Sequence, residues 1–338
     1  MPVRRRREPP TYYAHPERSS AGCDGWSPEF ARALRKTGAT RVALGGPEWS
    51  DLSKLVPFAD QIEELFLDCR IADHSHLELL PRLHRLSLGY ECNPQDIDFG
   101  RLKGLERLGV RHSTDQIGAI EAAPSLTRLD ILNCRLRDLT RLRGLNKLEH
   151  LLVEEAPLQS LDGIEALPAL RKLTLLQVPL RTLDRIQHAV ELRELRVFLL
   201  PRLESIAALA KLKQLSSLSL ERVRKIRDLS TVGEIASLED LHLESLPMPS
   251  SLDFIGQLAR LKKLKLKLSG RIPSLRLVLA LKQLEVLHLG QKLIVDDGDL
   301  SVLLEMPALE TAVFWDRSPY SHRREEIRAA LEVKKEKA

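Results

Sequence analysis

A short aliphatic pattern, LxxLxL, recurs along this chain at a nearly constant interval. Successive copies open 21 to 25 residues apart, and eleven clear copies are followed by a weaker twelfth. The clear copies open at Ile62, Leu83, Leu105, Leu126, Leu148, Leu170, Leu192, Leu215, Leu238, Leu261 and Leu284, and the weaker one at Leu309. Self-similarity at this period is typical of a solenoid, in which each repeat stacks only on its neighbours.

Each repeat begins with a segment in which apolar and polar residues alternate, as in Leu241-His242-Leu243. A period of two predicts a short β-strand with one buried face. Because every repeat follows the same path, we expect the strands to run parallel, with right-handed returns between them. The pattern therefore predicts an α/β solenoid with a parallel sheet that takes one strand from each repeat.

The remainder of each repeat carries apolar residues at every third position, as at Leu158, Leu161, Ile164 and Leu167. This spacing suits 3-10 turns or a short helix with one apolar stripe facing inward. Neighbouring strands lie ~4.8 Å apart, whereas the returns are bulkier. We therefore expect a curved sheet on the concave face and 3-10 or short helices on the convex face.

The start of the chain differs from the repeats in composition. Residues 1–25 are rich in Pro, Arg and Ser, which predicts a disordered basic tail. Ser27, Pro28 and Glu29 then supply a capping hydroxyl, a proline at the first helical position and an early acid. They predict an N-terminal cap helix within residues 26–38.

The repeats themselves occupy residues 39–315, which we predict to form a solenoid of about 12–13 repeats. Residues 316–338 contain Ile327, Ala330 and Leu331 on one helical face, with Arg and Glu on the other. This segment is predicted to form a C-terminal cap helix followed by a basic tail.

The LxxLxL string, followed by apolar residues at every third position, resembles the leucine-rich-repeat family. It is most similar to the 22-residue class found in internalins and in a leucine-rich regulator of type-1 protein phosphatase. The resemblance implies the fold but does not identify a partner, because the family binds many unrelated partners. The family usually places Asn or Cys at the ninth position of each repeat, and here only Cys134 matches. The bends after the strands are therefore expected to satisfy their polar groups through backbone bonds or water.

The net charge of +5 is concentrated at the two ends, with +3 in residues 1–20 and +2 in residues 321–338. The repeats are neutral, so the basic balance is weak evidence for a nucleic-acid partner. The four cysteines show no paired spacing, which favours reduced thiols. Since the basic start is followed by no apolar stretch, we expect a cytoplasmic protein without a membrane span.

The resemblance implies that side chains at positions 2, 3, 5 and 7 of each repeat point away from the core on the concave face. Four consecutive repeats place an apolar residue at position 5 or 7, and acidic and then lysine-rich repeats follow. An apolar centre with a charged edge is typical of a protein-binding surface. The predicted partner-binding residues are Leu132, Leu152, Glu154, Leu176, Phe198, Glu221, Glu244, Lys265 and Lys267.

Two alternatives remain open at this stage. Leucine-rich sequences scatter leucine over their surfaces, so exposed leucines need no functional explanation. A nucleic-acid or acidic-polymer binder could use Arg4 to Arg7, the Lys262–Lys267 strand and the lysine-rich end, with an affinity that falls steeply with salt. Aromatic residues make up only 4% of the chain, which argues against a platform for base stacking.

Candidate metal sites and catalytic motifs receive little support from the sequence. Cys69, His74, His76 and Cys92 are residue types that bind zinc, but they lack a CxxC pair. The acidic loop 296–299 lacks the later acidic ligand that a calcium loop needs. We expect no metal and no cofactor, and we expect a non-catalytic protein that is monomeric on its own.

Overall fold

The computed structural model describes residues 12–15, 19–46, 49–111 and 119–336. The chain divides into two compact units. The first unit contains the described residues up to Leu136 together with Arg141–Leu151, and the second contains Arg137–Thr140 together with the described residues from Leu152 onward. Among the described residues, no helix has the length and apolar character needed to cross a bilayer.

The first unit is built on parallel strands, one from each repeat. Its main sheet has the order β1-β2-β3-β5-β7-β8-β9, in which β1 is antiparallel to β2 and the other pairs are parallel; β4 and β6 pair separately. The strands are β1 (Tyr12–His15), β2 (Ser20–Asp24), β3 (Arg41–Gly45), β4 (Trp49–Asp51), β5 (Glu64–Leu67), β6 (Ile71–Asp73), β7 (Arg85–Leu88), β8 (Arg107–Arg111) and β9 (Arg128–Leu132).

The second unit repeats this plan. Its main sheet has the parallel order β11-β12-β13-β14-β15-β17-β19, and β16 pairs with β18. The strand β10 (His150–Glu154) spans the division between the units. The other strands are β11 (Lys172–Leu176), β12 (Glu194–Phe198), β13 (Ser217–Glu221), β14 (Asp240–Glu244), β15 (Lys263–Lys267), β16 (Gly270–Ile272), β17 (Val286–Leu289), β18 (Leu293–Val295) and β19 (Thr311–Val313).

The returns between strands are mostly 3-10 helices, which confirms the reading of the three-residue spacing. Leu158, Leu161, Ile164 and Leu167 are all buried, so the apolar stripe of the return does face the core. The 3-10 helices cover Ser53–Phe58, Ser75–Leu79, Pro94–Asp96, Phe99–Arg101, Ile120–Ala122, Thr140–Leu142, Ile164–Ala166, Ile186–His188, Ala207–Lys211, Asp253–Gln257 and Arg276–Ala280. The α-helices are α1 (Pro28–Thr37), α2 (Ser230–Gly233), α3 (Val302–Glu305) and α4 (Arg324–Glu336).

Several bends after strands are stabilised by the backbone, as expected from the missing asparagines. In five consecutive repeats of the second unit, the residue after position 7 adopts a left-handed conformation, with φ of 52° at Gln177 and 53° at Leu199. Its amide then donates to the next repeat, as from Gln177 N–H to the Phe198 carbonyl at 3.0 Å. In these five repeats the ninth position holds a buried apolar residue instead of Asn, for example Val178. A polar ladder is therefore unnecessary at these bends.

The prediction of a disordered tail over residues 1–25 was wrong for residues 20–24. Ser20–Asp24 form β2, which pairs in parallel with β3, and Ala21 and Cys23 are buried. Small and apolar residues at alternate positions let this segment continue the buried face of the sheet. Residues 1–11 and 16–18 lie outside the described residues.

A helix lies in each of the two segments that were predicted to cap the repeats, α1 near the start and α4 near the end. The Ser27 hydroxyl oxygen accepts from the Phe30 amide at 3.1 Å, and Pro28 begins α1, as the sequence predicted. Phe30 and Leu34 are buried. In α4, the buried residues are Ile327 and Leu331. Ala330 is exposed, so the prediction that it lies on the apolar face of the helix was wrong.

Candidate functional site

Strand register in the second unit places side chains of equal repeat position side by side. At position 7, Leu176 pairs with Phe198, Phe198 with Glu221, Glu221 with Glu244, and Glu244 with Lys267. Parallel neighbours lie ~4.8 Å apart, so each side chain meets its counterparts in the adjoining repeats. We call the surface formed by positions 2, 3, 5 and 7 the strand face.

The apolar part of this strand face lies on β10, β11 and β12. Leu152, Leu176 and Phe198 are each half-buried, so they belong neither to the core nor to the fully exposed surface. The guanidinium of Arg222 lies 5.4 Å from the centre of the Phe198 ring, which is a cation–π distance. Glu154, also half-buried, ends β10.

Leu132 lies in the first unit. It is half-buried at the end of β9 in the first unit, where it pairs in register with Arg111. Of the four predicted apolar residues, Leu152, Leu176 and Phe198 therefore belong to the second unit. Leu132 belongs to the first.

Glu221 differs from the sequence-based expectation of an open acidic residue. It is only 7% exposed. Its carboxylate pairs with the Arg196 guanidinium at 3.1 Å and accepts a hydrogen bond from the Ser219 hydroxyl at 2.9 Å. Because these bonds already satisfy its carboxylate, Glu221 supports the strand face and does not present a free charge.

His242 links the acidic residues to the lysines. Its Nε2 lies 3.1 Å from Glu244 Oε2, which also accepts from Lys267 Nζ at 3.0 Å. Burial lowers the pKa of His242, and the nearby carboxylates of Glu221 and Glu244 oppose this effect only in part. Burial alone would raise the pKa of Glu244, but the hydrogen bond and charge of Lys267 outweigh it and lower that pKa. The pair therefore favours a neutral imidazole beside an ionised carboxylate.

The lysine-rich strand is partly neutralised by acids of the preceding repeat. Lys262 donates to Glu239 at 2.9 Å, and Lys267 to Glu244. Lys265 is half-buried and lies in register with His288. Burial first, and then the charges of Lys267 and Lys265, lower the pKa of His288. The local positive charge is thus smaller than the run of lysines in the sequence indicates.

The cysteine and histidine residues form a buried contact. Cys92 Sγ lies 3.5 Å from His74 Nε2, and both residues are buried. Burial raises the pKa of Cys69 to about 11 and that of Cys92 to about 12, so these thiols stay protonated at neutral pH. Within the described part of the chain, no group of three or more His, Cys, Asp or Glu residues is placed to hold a metal ion.

One charged feature of the first unit was missed by the sequence reasoning. Position 3 carries Arg85, Arg107 and Arg128 on β7, β8 and β9, and register places them side by side. The signal for this cluster in the sequence is position 3, which holds an arginine in three consecutive repeats.

Comparisons with known proteins give structural matches only. No protein-family model matches the sequence, and no curated protein matches it. An internalin from Listeria monocytogenes superimposes with a TM-score of 0.63 and 20% identity, over 84% of this chain and 83% of its own. A leucine-rich-repeat protein from Leptospira interrogans gives 0.53 and 20%, over 92% of both chains. The Toll–Spätzle complex of Drosophila gives 0.57 and 16%, over 84% of this chain and 44% of that one. At these identities the likeness establishes the fold alone.

Proposed function

We propose that this chain, which has the leucine-rich-repeat fold of the internalins, is a non-catalytic scaffold that binds a protein partner through the strand face of its second unit. Leu152, Leu176 and Phe198 would be the apolar anchors, and Glu154, Glu244, Lys265 and Lys267 would form the charged edge. Because the four cysteines are buried free thiols, we also propose a reducing, cytoplasmic setting.

The observation that carries this proposal is the half-buried apolar group on three adjacent strands. The backbone hydrogen bonds of the sheet fix the strands that carry these side chains. The backbone of this surface therefore needs little ordering on binding. A partly exposed aromatic residue with a neighbouring arginine is a combination enriched at the energetic centre of protein interfaces. The charged residues beside it would orient the partner and fix its register.

The structural relatives are compatible with this role. The matched Toll chain was solved in a complex with Spätzle, which is a property of Toll and not of this chain. The proposal therefore depends on the residues of this strand face.

The proposal is tested by the triple substitution Leu152→Glu, Leu176→Glu and Phe198→Glu. Partners captured from a native lysate by the wild-type chain are identified by mass spectrometry, and the purified partner is then titrated against both proteins by calorimetry. Burying even one new carboxylate in an apolar contact is strongly unfavourable, so we expect affinity to fall by roughly a hundredfold or more.

Val190→Glu is the matched control, because it also replaces an aliphatic residue by an acid in the second unit. Val190 is 62% exposed and lies on a return between strands, away from the strand face. This variant should bind as the wild type does. Equal partner affinity of the folded triple variant would rule out these anchors.

A further inference from the structure

The strand face of the first unit brings three guanidinium groups together. Arg85 pairs in register with Arg107, and Arg107 with Arg128, so they are spaced by ~4.8 Å from strand to strand. Like charges directly opposite each other on neighbouring strands are destabilising. An anion that lies between these arginines would offset that repulsion.

In the chain segments that the structure describes, the central arginine of the three has no carboxylate partner, whereas the outer two have one each. Arg85 lies 3.5 Å from Glu64, and Arg128 lies 3.2 Å from Asp130. Within the described ranges, the guanidinium of Arg107 forms no ion pair or hydrogen bond, although it is exposed between the other two. The group therefore presents one uncompensated positive charge, with five N–H donors in a planar arrangement that suits a carboxylate.

Small side chains open a cavity beneath these arginines. Ser87 and Gly109 occupy position 5 on β7 and β8, and a Cβ at Gly109 would lie 3.5 Å from the Ser87 hydroxyl oxygen. The resulting cavity has a volume of about 120 Å³ and is lined by Arg85, Ser87, Arg107, Leu108, Gly109, Arg128 and Asp130. A bulkier residue at either position would fill it.

A second, more apolar cavity adjoins the first. It has a volume of about 250 Å³ and shares Arg85 and Ser87 with the arginine cavity. Its apolar lining includes Val42, Leu65 and Phe66, of which Phe66 is 44% exposed. Arg41 and Glu64 also line it and form an ion pair at 3.3 Å. One ligand could therefore place an anionic group in one cavity and an apolar group in the other.

We propose that these two cavities bind an acidic peptide segment, with an Asp or Glu carboxylate on Arg107 and a neighbouring apolar side chain against Phe66. This inference rests on the binding function proposed above, which it deepens by naming the chemistry of the segment held by the first unit. Each cavity is smaller than the roughly 300 Å³ at which small-molecule sites begin, which suits single side chains.

Charge and shape favour a carboxylate over a phosphorylated ligand. A single unpaired guanidinium matches one singly charged carboxylate, and the Asp130 carboxylate at the rim opposes a second negative charge. Binding of single-stranded nucleic acid requires exposed aromatic rings for stacking. Phe66 and Tyr90 are the exposed rings near this group. The Arg111 guanidinium already lies 5.6 Å from the centre of the Tyr90 ring, which leaves Phe66 as a single stacking surface.

The test uses the full chain and a fluorescein-labelled peptide of alternating Glu and Phe, with binding measured by fluorescence anisotropy. Arg107→Gln should weaken binding by roughly ten- to a hundredfold, because it removes a charge-assisted hydrogen bond. Lys263→Gln is the matched control, since Lys263 is an exposed cation at the same repeat position in the second unit. It should leave the affinity unchanged.

Three other probes separate the sources of the anion. A peptide with Gln in place of Glu should not bind, and neither inorganic phosphate nor oligothymidylate should displace the Glu peptide at equimolar concentration. Equal affinity of wild type and Arg107→Gln, absence of peptide binding, or displacement by either competitor would overturn the proposal. The Leu152, Leu176 and Phe198 triple variant should bind this peptide normally, so the two proposals fail separately.

Discussion

At the scale of single residues, opposite charges in the second unit meet because they hold nearby positions in consecutive repeats. Glu244 and Lys267 share position 7, and the parallel register brings them within 3.0 Å. Arg196 at position 5 of β12 pairs with Glu221 at position 7 of β13, diagonally across the register. The charges at the edge of the apolar group are therefore held in place by one another.

The pKa of His242 provides a test of this network. Burial lowers it, the charges of Glu221 and Glu244 raise it, and the charge of Lys267 lowers it. We expect Glu244→Gln to lower the pKa of His242 further and Lys267→Gln to raise it, as measured by NMR titration of the imidazole. Shifts in the same direction for both variants would contradict the arrangement.

The depressed pKa of His242 also has a consequence for stability. The unfolded chain takes up a proton on His242 at a higher pH than the folded chain does. This contribution to the free energy of unfolding is therefore complete above the ordinary histidine range and is lost as the pH falls through it. His242→Gln should show a smaller loss of stability in urea titrations over that range than the wild type does.

Replacement of Gly163 by any residue with a Cβ should strain the backbone. Its φ is 99°, and a Cβ there would lie 2.4 Å from the Leu139 carbonyl carbon. Gly163→Ala should lower the free energy of unfolding by at least about 2 kcal/mol. In Gly256→Ala the new Cβ would meet only ordinary contacts, the nearest at 3.6 Å, so the change should stay within about 1 kcal/mol. Urea unfolding of both variants measures the difference.

At the scale of the repeat, the sequence predicted the elements better than the bends. LxxLxL specifies a strand with a buried face, and the three-residue spacing specifies the return, because both depend on burial of aliphatic side chains. The left-handed residues after the strands have no shared side-chain type, since Glu155, Gln177, Leu199, Arg222 and Ser245 all adopt this conformation. Their conformation follows from the hydrogen bond that the backbone N–H donates to the next repeat. This hydrogen bond forms only when the repeats are stacked.

This conformation predicts a stabilising substitution. A left-handed backbone costs a residue with a Cβ about 1–2 kcal/mol, and glycine avoids that cost. Gln177 is exposed, and the hydrogen bond from its backbone N–H to the Phe198 carbonyl does not involve the side chain. Gln177→Gly should therefore stabilise the protein by up to about 1 kcal/mol in urea unfolding. Arg193→Gly, an exposed position without positive φ, should not stabilise it.

At the scale of the molecule, each repeat contacts mainly its neighbours, so damage should stay local. Leu287 is buried in β17, which pairs with β15 and β19. Leu287→Ala should cost about 2–5 kcal/mol locally and reduce hydrogen-exchange protection in these three strands. β11, several repeats away in the same unit, should keep its protection. A uniform loss of protection across the second unit would contradict this view.

The sequence by itself determined the repeat, the strand and return in each copy, and the residues of the core, because burial of aliphatic side chains at fixed spacing permits few alternatives. It also identified Leu152, Leu176 and Phe198 as candidates on the strand face. Only the tertiary structure decided which charges remain available. Stacking neutralises Glu221 with Arg196 and leaves Arg107 without a partner among the residues that the structure describes. These outcomes depend on side-chain contacts between repeats that composition and period do not encode.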